Sequence, residues 1–77
     1  MTTSLPDLDW SLAQIALAER LGHKSRERIL SRMLLGTPLL ASAKIEADYM
    51  AESWANYDDK VQIRAIQIAF DELRHPL

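Results

Sequence analysis

From Leu8 to Arg74 apolar side chains recur three and four residues apart, and no run alternates as a strand would. That spacing restricts the chain to helices, and the breaks between them set how many there are. Gly22 is the first expected stop, because glycine takes the left-handed cap conformation without steric cost. Gly36 is the second, and Thr37-Pro38 directly after it reads as a start: Thr37 caps, and proline sits at the first helical position, where a missing N–H costs nothing. Asn56-Tyr57-Asp58-Asp59 is a break and recap, and His75-Pro76 ends the last segment. The punctuation predicts helices over 8–21, 26–35, 38–54 and 59–74, with Asp7 or Asp9 capping the first, Ser25 the second, and residues 1–6 as a lead-in. The last two can instead form one helix kinked near Asn56. The fold class is therefore all-α, a compact bundle of three or four helices in a single domain spanning 1–77.

The apolar stripes name a core: Leu12, Ile15, Leu21, Ile29, Met33, Leu39, Met50, Trp54, Ile66, Phe70 and Leu73. A 48% apolar composition is enough to build it. A chain of 77 residues without cysteine has no disulfide or thiolate site to staple it, and such domains often gain stability by pairing. A homodimer is accordingly an expected state. No basic start followed by a long apolar run marks an export signal, and no stretch approaches a membrane span, so the expectation is a cytoplasmic protein with no membrane role.

The residues needed for catalysis do not assemble on paper. His23 and His75 sit at expected helix ends without metal-ligand spacing, Asp58 and Asp59 are adjacent and diverge, and the two glycines build no phosphate loop. Glu46, Asp48 and Glu52 read as a solvated face. The expectation is a non-enzyme with no cofactor, no metal and no small-molecule substrate.

Charge is segregated. Residues 20–32 carry Arg20, Lys24, Arg26, Arg28 and Arg32 against Glu27, a local net of +4 in a chain whose overall charge is −2. Residues 44–59 carry Lys44 against five carboxylates. Within the basic stretch, Ala16-Leu17-Ala18-Glu19-Arg20-Leu21-Gly22 followed by Leu30-Ser31-Arg32-Met33 resembles the helix-turn-helix of phage-repressor and related bacterial DNA-binding families over residues 13–36. The resemblance implies a turn after Gly22 and DNA contacts from Lys24, Ser25, Arg26, Arg28 and Arg32. The segment departs from that pattern in two ways. Leu30 lies eight positions after Gly22 where about six are usual, and His23 stands in an aliphatic slot. A small regulatory DNA-binding protein is one expected function.

The other is a protein-binding modulator, such as an inhibitor from a mobile element or an antitoxin-like or immunity-like adaptor. Tyr49 and Tyr57 beside Glu52 and Asp58 mark its expected interface, since aromatics in polar surroundings often anchor complexes.

Overall fold

The structure is a computed structural model describing residues 10–74. It is all-α, with three helices: α1 Leu12–Leu34, α2 Leu39–Ser53 and α3 Asp59–Arg74. The expected lead-in 1–6, the caps at Asp7 or Asp9 and the stop at His75-Pro76 lie outside the described residues.

The first two expected helices are one. Trp10 and Ser11 are not helical, and α1 starts at Leu12 rather than Leu8. Ser11 caps it reciprocally with Gln14: the Gln14 N–H donates to Ser11 Oγ at 3.1 Å, and the Ser11 N–H donates to Gln14 Oε1 at 3.0 Å. The helix then runs through Gly22 without a break. A mid-helix glycine costs about 1 kcal/mol against alanine, and the gain that offsets it comes from α3. A Cβ at Gly22 would lie 2.7 Å from the Cβ of Ile68 and 2.8 Å from the Ala65 carbonyl oxygen. Gly22 thus lets α3 come close, and Ala18, Ser25 and Ile29 are the other buried residues of α1. Ser25, expected as an exposed cap, is instead buried inside α1.

The end of α1 is set by local chemistry. Gly36 has φ +105°. Its N–H donates to the Met33 carbonyl at 3.0 Å, and the Thr37 N–H donates to the Arg32 carbonyl at 2.9 Å, the paired bonds of a Schellman stop. Pro38 then holds the N-cap position of α2 in extended geometry, and the Thr37 side chain is not the cap. Residues 54–58 separate α2 from α3, so the single kinked helix is ruled out. Asp58 starts α3 by accepting the Lys60 N–H on Oδ1 at 2.8 Å.

Contacts between named residues give the layout. Ser25 meets Met50, and Arg28 and Arg32 meet Glu46, so α1 and α2 are antiparallel. Gly22 meets Ala65 and Ile68, and α3 returns alongside α1. The element common to both contacts is α1; α2 and α3 do not pack backbone to backbone. They meet at their joined ends, where Trp54 and Met50 cluster with Ala65, and Leu21 and Phe70 pack on the cluster.

The core differs from the stripes read off the sequence. Ile29, Met50 and Trp54 are buried as expected, and Leu21, Phe70 and Leu73 are half-buried. Leu12, Ile15, Met33, Leu39 and Ile66 are exposed. The physical reason is the close approach at Gly22: the small residues Ala18 and Gly22 and the buried Ile29 take up the inner face of α1, and Ser25 turns to Met50 of α2, so Leu12, Ile15 and Met33 are left outside. On α3 the matching buried face is Val61, Ala65, Ile68 and Ala69.

Candidate interaction surfaces

Two features stand out: a polar seam between α1 and α2, and an apolar groove between α2 and α3.

The seam is built on Glu46, whose side chain is 0% exposed. Arg28 grips it with Nε, 3.0 Å from Oε2, and with Nη2, 2.6 Å from the same oxygen. From one turn further along α1, Arg32 Nη1 reaches Oε1 at 2.8 Å. Two cations four residues apart on one helix repel each other, and the carboxylate between them relieves that repulsion. Burial pushes the Glu46 carboxyl up. Hydrogen bonds from Arg28, Arg32 and Ser25, with the Arg28 charge, more than offset it, leaving the group below its ordinary 4.5. The Arg28 guanidinium also lies 4.3 Å from the centre of the Tyr49 ring, a cation–π contact that covers the seam from outside.

This geometry places the expected DNA-contact residues differently from one another. Lys24 is exposed and Arg26 half-buried. Ser25 is buried, with its hydroxyl 3.6 Å from the Met50 sulfur. Arg28 and Arg32 point inward to Glu46. The turn implied after Gly22 falls inside continuous helix. Of the expected protein-interface residues, Glu52 is exposed, Asp58 is the cap of α3, and Tyr57 lends its carbonyl to Gln62 Nε2 at 2.8 Å. Tyr49 is partly exposed and leans on Arg28. These four lie on α2 and the link after it, and none of them lines the groove between α2 and α3.

Glu46 is buried rather than solvated, and the sequence carries a signal of it. Buried Met50 and Trp54 continue backward at four-residue steps to Glu46 and Ser42, both fully buried. The apolar stripe of α2 is thus prolonged by polar residues that only make sense opposite Ser25, Arg28 and Arg32.

The groove has a volume of about 570 Å³. Leu39, Leu40 and Ala43 of α2 form one wall; Ile66, Phe70 and Leu73 of α3 form the other, edged by Gln67 and Asp71. At the end of α1 and just after it, Leu34 is 87% and Leu35 88% exposed, and Leu40 of the groove wall is 84% exposed. Sequence periodicity marked Leu39, Ile66, Phe70 and Leu73 as apolar but assigned them to the interior. Among the described residues, no cluster of three His, Asp or Glu side chains that could hold a metal comes together, and no helix is long and apolar enough to cross a membrane.

Comparison with known protein families, with curated proteins and with solved structures returns no match.

Proposed function

We propose that this protein is a non-enzymatic interaction module whose α2–α3 groove receives an apolar helix. The single observation that carries this reading is the groove itself, with Leu39, Leu40, Ile66 and Phe70 lining an open cleft between two helices that do not close on each other. Contiguous exposed apolar surface of this kind is what binding sites on small proteins present. A helix seats its i, i+3, i+4 residues in such a cleft. Regulation by occupying or presenting that helix suits a small adaptor or inhibitor, and a cysteine-free chain suits the reducing cytoplasm.

The nucleic-acid reading ranks below it. Arg28 and Arg32 direct their donors to Glu46, and Arg20 and Lys24 are exposed cations on the same helix. Site-specific photo-crosslinking in the native host separates the readings. A photoreactive residue at Leu40 or Ile66 should give protein adducts, and one at Glu27, on the outer face of α1, should not. Adducts only from Glu27 overturn the groove. DNA affinity that falls with added salt and with Arg20→Ala/Lys24→Ala favours the nucleic-acid reading instead.

A further inference from the structure

We draw no further inference here: the strongest candidate, the apolar groove between α2 and α3 walled by Leu39, Leu40, Ile66 and Phe70, belongs to the surface already described, and nothing in the structure shows which partner covers it.

Discussion

Replacing Glu46 by alanine should be among the most damaging single changes in the seam. The carboxylate is 0% exposed and holds two cations that retain side-chain exposures of 32% (Arg28) and 24% (Arg32). Removing one member of a fully buried ion pair costs about 3–5 kcal/mol, because the remaining charge is stranded. Here both arginines can partly rehydrate, which lowers the expected loss to about 2–3 kcal/mol. A fold of this length has about 4–12 kcal/mol to lose, so the change removes a sizeable fraction of it. Urea unfolding followed by circular dichroism reads the loss. A loss below about 0.5 kcal/mol, within the range of ordinary surface substitutions, refutes the reasoning.

The triple replacement Arg28→Met/Glu46→Met/Arg32→Met should land within about 1–2 kcal/mol of wild type, since three apolar side chains avoid the desolvation that the ions undergo. The pH dependence follows from the same group. The folded carboxyl titrates below 4.5, so the unfolded chain binds its proton first as pH falls. The stabilisation is complete above 4.5 and drains away as pH drops through the folded value. The triple variant should lack this component of acid sensitivity.

Two glycines should respond in the same direction for different reasons. Gly22→Ala should destabilise, by up to about 2 kcal/mol: overpacking against Ile68 and the Ala65 carbonyl costs about 1–3, and helix propensity returns about 1. Thermal unfolding checks it, and a stabilised variant would mean that α3 does not approach so closely. Gly36→Ala meets nothing within 4 Å, so its loss of about 1–2 kcal/mol is backbone strain alone at φ +105°. Semisynthetic D-alanine there should keep wild-type stability, and equal losses from both enantiomers would contradict the strain account.

What was legible in the sequence is what local chemistry decides. Gly36 stops α1 through bonds to Met33 and Arg32, all within five residues, and Asp58 caps α3 across two. Gly22 has the same sequence credentials as Gly36, yet its role is fixed by Ala65 and Ile68, more than forty positions away. A residue that ends a helix in isolation can instead open space for a neighbour. The resemblance to a helix-turn-helix over 13–36 rested on reading that glycine as a turn. Glu46 was illegible for the same reason: a carboxylate on a helix reads as solvated until the arginines of another helix are placed over it. The groove was half legible, since periodicity identifies an apolar stripe and says nothing of what covers it.

These misreadings share a cause in how the chain distributes its apolar surface. The close contact of α1 with α3 uses small residues, Ala18, Gly22, Ala65 and Ala69, and so buries little side-chain area per turn. The contact of α1 with α2 is largely polar, with Ser25, Ser42 and Glu46 at its centre. Large aliphatic residues are left over on both helices that border the groove. The position of α2, and with it the separation of Leu39 and Leu40 from Ile66 and Phe70, is therefore set by a directional ion pair at Glu46 together with the apolar packing of Met50 and Trp54 on Ala65 near its C-terminal end. Directional bonds fix a helix at one distance, and a groove needs a fixed width to select what enters it. The buried Arg28–Glu46–Arg32 cluster thus anchors to α1 the same helix, α2, whose Leu39, Leu40 and Ala43 wall the groove.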